Sequence, residues 1–172
     1  FAPAAERAYG YGSGRPFTAL VKFLAFKVWG NDIPAYHLLV IGAHGACSLL
    51  VAFCVFRLGS PLDLSLLSGL LFLANASHSS ALHWLSVLDY PLGGLWSLAI
   101  FLCYMRSQTG GWHWLLVFNL VLFCGLLSHI AVAFVVPFCL YWSWSRGRGF
   151  FAPLVRLAPG GLSLVMALAI TA

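Results

Sequence analysis

Residues 34–57 read PAYHLLVIGAHGACSLLVAFCVFR and decide the fold class. The stretch has a proline at its start, an arginine at its end and no other charged residue. As an α-helix its residues would rise about 36 Å, which is enough to cross the hydrocarbon core of a bilayer with some tilt. The stretch therefore predicts a membrane-spanning helix.

The composition of the whole chain points the same way. The 172 residues are 62% hydrophobic and only 8% charged, whereas a soluble domain carries about 25% charged residues. So much apolar surface cannot be hidden in one small water-soluble core. We therefore expect an all-α, polytopic transmembrane helix bundle that forms a single domain over residues 1–172.

Further apolar stretches predict about six spans in total. Besides 34–57, the predicted spans are about 62–76, 84–105, 112–127, 129–145 and 153 to the end. Residues 1–16 read as an aqueous outer loop, and 17–29 as an amphipathic helix at the interface with Lys22 and Lys27 reaching toward water. The chain starts without methionine and ends in an apolar run, so we expect a fragment of a longer protein.

The arginines of the turns predict the orientation. Five of them fall in turns on one side of the predicted bundle: Arg57, Arg106, Arg146, Arg148 and Arg156. The turns on the other side, around 77–90 and near 128, carry no Lys or Arg. Positive charge is enriched in cytoplasmic loops, so the segment 77–90 is predicted on the periplasmic or lumenal face, with a bacterial inner membrane as the expected location. The basic residues are scattered and form no stripe, which argues against nucleic acid as a partner.

Two pairs of histidines are candidate ligands. His37 and His44 are seven residues apart, so they share a helix face but lie about 10 Å from each other, too far to hold one metal ion. Each is either an axial ligand to haem or a (bacterio)chlorophyll, or a hydrogen-bonded side chain packed inside the bundle. His78 and His83 do not have the i,i+4 spacing of a helical zinc pair, so no metal site is predicted there.

The segment 77–90, SHSSALHWLSVLDY, carries two histidines, an aspartate and four serines between strongly apolar segments. Its only acid, Asp89, is either a solvated loop carboxylate or a group that orients a sugar or phosphate. Trp84 and Tyr90 are either aromatic residues of the membrane interface or a platform on which a sugar ring stacks.

Four motifs in order resemble the multi-spanning glycosyltransferases of the C superfamily, especially the O-mannosyltransferase-like proteins. They are RPF at 15–17, VWGNDIPAYHLLVIGAH at 28–44, LFLANASHSSALHWLS at 71–86 and LLSHIAVAFVVPFCLYW at 126–142. The residues that match the family's motifs are Arg15 and Pro16, then Tyr36, His37 and His44, then His78 and Trp84, and finally Ser128 and Pro137. The resemblance extends from Arg15 to about Trp142.

The resemblance implies transfer of a sugar from a polyprenyl-phosphate donor to an acceptor on the outer face. The candidate substrate- and phosphate-binding residues are Arg15, His78, His83, Trp84 and His129. His129 and Ile130 stand where the family has lysine and glutamate. A transferase needs a base for the acceptor hydroxyl and cations or a divalent metal for the leaving phosphate. The candidate catalytic acids are Glu6, Asp32 and Asp89.

Two functions remain open from the sequence. The first is an accessory subunit of a larger membrane complex, built on a glycosyltransferase-like scaffold without catalysis. In one form of this hypothesis, the subunit also holds haem or a pigment. The second is an active glycosyltransferase that uses a lipid-linked sugar. Both place the chain in a lipid bilayer, and the first requires other membrane subunits as partners.

Overall fold

A computed structural model describes residues 15–75, 88–147 and 169, and the regular structure in this part of the chain is helical. The helices are Pro16–Trp29 (α1), Ile33–Arg57 (α2), Leu62–Leu73 (α3), Asp89–Ser107 (α4), Trp112–Ser128 (α5), a 3₁₀ helix Ile130–Phe134, and Val135–Ser145 (α6). The all-α prediction is therefore confirmed for the described residues.

Local signals in the sequence set the bounds of the first two helices. α1 begins at Pro16, which supplies the backbone angle of a first helical residue, and ends at Gly30, whose φ of 56° suits glycine. The carboxylate of Asp32 accepts a hydrogen bond from the Ala35 amide at 3.4 Å and caps α2. α2 ends at Arg57, where a cation stabilises the helix C-terminus.

α2 is the described helix that is long and apolar enough to cross a membrane. It has 25 residues, and its most apolar window has a mean hydropathy of 2.3. Three other described segments are shorter apolar helices: Leu62–Leu73, Trp112–Ser128 and Ile130–Ser145. Length and composition thus support one candidate span, while the six-span arrangement remains a prediction.

α2 and α3 form a tight antiparallel pair. The Ser48 hydroxyl donates a 2.8 Å hydrogen bond to the carbonyl of Gly69, and a Cβ at Gly69 would lie 2.8 Å from the Ser48 carbonyl oxygen. About one turn further along α3, the His44 ring stacks on Phe72 with 5.2 Å between ring centroids. The absence of a side chain at Gly69 therefore fixes how closely the two helices approach.

The main apolar core lies where α4, α5 and α6 meet. Its most deeply buried members include Ile100, Tyr104, Phe118, Leu122 and Cys139. The Tyr104 hydroxyl lies 2.7 Å from the Ser143 hydroxyl, so both buried polar groups are paired. This core holds α4 and α5 in the antiparallel arrangement that builds the site described below.

The predicted span 129–145 is split into a 3₁₀ helix and α6. The His129 side chain caps the 3₁₀ segment by accepting from the Ala131 amide. Pro137 has no N–H with which to bond the carbonyl of Ala133, so a continuous α-helix would leave that carbonyl without its usual donor. These two residues explain why α-helical structure starts only at Val135.

The described turn arginines share one end of the bundle. Arg57 closes α2, Arg106 lies in the last turn of α4, and the Arg146 guanidinium reaches the Leu58 carbonyl at 3.5 Å. These arginines lie at one end, as the turn pattern predicted, and Arg148 and Arg156 lie outside the described residues. α4 begins at Asp89, at the opposite end of the same helix.

Candidate functional site

Asp89 is the centre of the candidate site. It is the first residue of α4 and is only 6% exposed, so it is not the solvated loop carboxylate that remained open from the sequence. Its Oδ2 forms an ion pair with the guanidinium Nη1 of Arg15, which directly precedes α1. A buried carboxylate is costly unless it is paired, and Arg15 supplies this pairing across 74 positions of the chain.

Lys22 is a second cation at Asp89. Its ammonium lies 3.3 Å from Asp89 Oδ1, and its side chain is 15% exposed. The sequence had predicted that Lys22 reaches toward water, as the exposed Lys27 does, and this was wrong for Lys22. The signal that could have identified it is spacing, since Lys22 follows Arg15 by seven residues and so lies on the same side of α1.

Two contacts hold α1 in place over α4 and α5. The Thr18 hydroxyl donates to the Ser128 carbonyl at 3.2 Å, and Thr18 is buried. The Phe17 ring meets Trp96 edge-on, with 5.0 Å between the ring centroids. The position of Arg15 therefore follows from the docking of the whole helix rather than from the ion pair alone.

His129 lies beside the ion pair, between α5 and the 3₁₀ helix. Its ring centroid is 5.5 Å from that of Tyr90, the residue after Asp89. Burial lowers the pKa of His129, and the positive charge of Arg15 lowers this pKa further, while Asp89 acts in the opposite direction. The imidazole is therefore neutral at pH 7. We refer to Arg15, Lys22, Asp89 and His129 as the Asp89 cluster.

The hydrogen bond of His129 also sets its tautomer. Nδ1 accepts from the Ala131 amide at 3.1 Å, so in the neutral ring the proton resides on Nε2. His129 is then a hydrogen-bond donor through Nε2 and is unsuited to act as a base at that atom. Protonation of Nδ1 would break the cap of the 3₁₀ helix.

A cavity of about 200 Å³ adjoins the cluster. It is lined by Tyr90, Gly93, Gly94, Ser97, His129, Ala131 and Val132. A Cβ at Gly93 would lie 3.4 Å from the Cβ of His129, and one at Gly94 would lie 3.2 Å from the Cys47 sulfur. The two glycines thus leave room between α4 and its neighbours.

The cluster has the chemistry of an anion site. Among the described residues it contains a guanidinium and an ammonium, one carboxylate and one neutral imidazole. Arg15 binds Asp89 through Nη1, and its side chain remains 35% exposed. A guanidinium has five N–H donors in a planar fork that suits phosphate oxygens, so Arg15 can bind an anion while it stays paired with Asp89.

The other predicted site residues lie elsewhere. Asp32 caps α2 and is exposed, and α1 separates it from Arg15 by about 20 Å of helix length. His37 is half-buried on α2, while the Nε2 of buried His44 lies 3.4 Å from the Leu73 carbonyl. The remaining candidates lie outside the described residues: Glu6, His78, His83 and Trp84.

Within residues 15–75 and 88–147, no three His, Cys, Asp or Glu side chains come together in a way that could hold a metal ion. The structure thus brings together Arg15, Asp89 and His129 from three distant segments, and adds Lys22 to them. Comparisons of the chain with protein-family models, with curated proteins and with solved structures find no significant match.

Proposed function

We propose that the chain is a membrane glycosyltransferase of the C-superfamily type, which binds the phosphate of a polyprenyl-phosphate-linked sugar at the Asp89 cluster. One observation carries the proposal: Arg15, Asp89 and His129 converge beside a cavity, although the sequence singled them out separately. The turn arginines support an outer, periplasmic location for this end of the bundle.

Arg15 has the leading role in binding. The leaving group in such a transfer is a polyprenyl phosphate, and cations stabilise the charge that develops on its oxygens. Arg15 offers N–H donors beyond the one used by Asp89, and about a third of its side chain is accessible. Its position is fixed before substrate binds, because α1 is docked through Thr18 and Phe17.

His129 supports the same site as a neutral donor. It stands where the resembled family has lysine, and its lowered pKa means that it supplies a hydrogen bond rather than a charge. The Nε2–H can donate to a phosphate oxygen or to a sugar hydroxyl in the cavity that its ring lines. This role requires neutral imidazole and therefore a pH above the pKa of His129.

Asp89 acts in this proposal as a positioning residue. Its carboxylate is in contact with two cations, which compensate its charge, so its role is to hold Arg15 and Lys22 in place. The acceptor hydroxyl attacks the anomeric carbon, the bond from that carbon to the phosphate oxygen breaks, and the hydroxyl proton must pass to a base. Glu6 remains the prediction for that base, because Asp32 caps α2 and lies away from the cluster.

The same pairing of Asp89 favours a second candidate function. Near the cavity, the described part of the chain contributes no carboxylate other than Asp89, which suits an accessory subunit that keeps the scaffold without catalysis. Such a subunit would copurify with other membrane proteins in mild detergent. A chain that migrates alone under those conditions argues against it.

A transfer assay tests the leading proposal. Membranes that contain the full chain are supplied with a labelled polyprenyl-phosphate sugar, and transfer is compared among Arg15→Gln, Asp89→Asn and the control Asp63→Asn. Asp63 is exposed in the first turn of α3, so Asp63→Asn removes one carboxylate away from the site and is the matched control. We expect Arg15→Gln to lower transfer at least tenfold and Asp63→Asn to leave it unchanged. Equal transfer in all variants would rule out the site.

A further inference from the structure

A second cavity lies at the arginine end of the bundle, away from the Asp89 cluster. Its volume is about 340 Å³, and it is lined by Phe53, Arg57, Leu102, Cys103, Arg106 and Trp114. Arg106 lies 17 residues after Asp89 on α4, which corresponds to about 25 Å along the helix axis. The two cavities are therefore separate sites, and the volume of this one falls within the range of about 300–1,000 Å³ that is typical of ligand pockets.

Two arginines from different helices share this cavity. Arg57 is the last residue of α2, and Arg106 lies in the last turn of α4. Among the described residues the ion pairs are those of Asp89, so no described carboxylate lies within 4 Å of either arginine. A cation stabilises a helix C-terminus, which by itself would explain the presence of either arginine. Two like charges that line one cavity repel each other, however, and an anion between them would relieve this repulsion.

The walls of the cavity are apolar and aromatic. Phe53, Leu102 and Cys103 contribute no charged group, and Phe53 is 48% exposed. The Arg106 guanidinium lies 5.6 Å from the centroid of the Trp114 ring, a cation–π contact that orients it. A ligand that suits both the two arginines and the apolar walls has a phosphate that binds the arginines and an apolar chain that packs against the walls.

We propose that this cavity binds the phosphate head group of an anionic phospholipid. Arg57 and Arg106 hold the phosphate oxygens, and the acyl chains lie against the apolar wall that includes Phe53. The turn arginines predict that this end faces the cytoplasm, where the leaflet carries anionic lipids. The inference rests on the chain lying in a membrane and is independent of glycosyl transfer at the Asp89 cluster.

The test is a lipid titration of the purified full chain in mild non-ionic detergent. Dioleoyl phosphatidylglycerol is added, and adducts are counted by native mass spectrometry while the thermal unfolding midpoint is recorded. Phosphatidylcholine and inorganic phosphate are the comparison ligands. The variants are Arg57→Gln and Arg106→Gln. Arg146→Gln is the matched control, because Arg146 is at the same end but does not line the cavity.

We expect phosphatidylglycerol to bind saturably and in preference to phosphatidylcholine. Each cavity variant should weaken its binding about tenfold, or ~1.4 kcal/mol, and Arg146→Gln should leave it unchanged. Equal losses in all three variants would overturn the inference, because they indicate diffuse charge attraction. Equal binding of phosphatidylcholine would also overturn it, as would displacement by inorganic phosphate. If a variant loses its helical circular dichroism, the inference is tested by comparing the binding of phosphatidylglycerol, phosphatidylcholine and inorganic phosphate to the unmodified chain.

Discussion

Replacing Asp89 by asparagine removes one charge from the centre of the site while keeping the size of the side chain. Breaking a fully buried ion pair costs about 3–5 kcal/mol, and an exposed pair is worth about 0–1 kcal/mol. The Asp89 side chain is 8% exposed, and its partners Lys22 and Arg15 are 15% and 35% exposed. Because Arg15 can be partly rehydrated, we expect Asp89→Asn to lower the free energy of unfolding by about 2–3 kcal/mol.

The assay is denaturant unfolding of the full chain in detergent micelles at pH 7.5, followed by tryptophan fluorescence and circular dichroism. Loss of the ion pair should loosen α1 first, and the Phe17–Trp96 contact places a tryptophan where that loosening can be detected. The control Asp63→Asn removes an exposed carboxylate and should change the free energy by no more than about 0.5 kcal/mol.

A double-mutant cycle with Arg15→Gln separates the pair from other effects of the substitution. Residues in direct contact show coupling energies of about 0.5–3 kcal/mol, and we expect about 1–2 kcal/mol between Asp89 and Arg15. Lys22 remains beside Asp89 in the Arg15 variant and limits the coupling. Strictly additive effects, or a cost of Asp89→Asn equal to that of Asp63→Asn, would mean that the ion pair between Asp89 and Arg15 does not stabilise the fold.

Three other changes probe the packing and the imidazole. Gly69→Ala should destabilise the fold by about 1–3 kcal/mol, because its Cβ would lie 2.8 Å from a backbone carbonyl oxygen of α2. Gly42→Ala is the control, since a Cβ at Gly42 meets open space and should not destabilise the fold. Thermal unfolding compares the two variants. Tyr104→Phe leaves the buried Ser143 hydroxyl without its 2.7 Å partner and should cost about 1 kcal/mol in denaturant unfolding. The pKa of His129 is lowered in the folded chain, so its contribution to stability is complete above its unfolded pKa of about 6.5 and is lost as the pH falls below that value. When the free energy of unfolding is measured from pH 8 to 5, the native chain should therefore lose more stability than His129→Asn.

Each of these expectations has a contradicting result. Equal midpoints for the two glycine variants would mean that α2 and α3 do not approach as closely as the Ser48–Gly69 contact indicates. A neutral Tyr104→Phe would mean that the Ser143 hydroxyl finds another partner. Identical pH profiles for the native chain and His129→Asn would contradict the lowered pKa of His129.

Composition and helix signals were sufficient to predict the helices. The predicted segments 17–29 and 34–57 each begin within one residue of the observed helices Pro16–Trp29 and Ile33–Arg57 and share their ends. Helix α4 runs from Asp89 to Ser107, whereas the predicted span was about 84–105, so its start was predicted less well than its end. The bounds of these helices depend on residues that are close together in the chain, so they can be predicted from a single sequence.

The site was predicted only in part, because its geometry depends on contacts between distant residues. Arg15 and His129 were named from the resemblance, and the turn charges placed residue 128 on the same face as Asp89. The role of Lys22 was missed, since a lysine on an amphipathic helix is ordinarily solvated. The spacing places Lys22 on the same side of α1 as Arg15, and the docking of α1 through Thr18 then turns that side toward Asp89.

The binding of polyprenyl phosphate by the purified full chain, measured by native mass spectrometry in mild detergent, tests the Asp89 cluster most directly. We expect saturable binding that Arg15→Gln weakens at least tenfold and that Arg146→Gln, at the opposite end of the bundle, leaves unchanged. Equal affinity of the native chain and the Arg15 variant would contradict the assignment of the Asp89 cluster as a phosphate site.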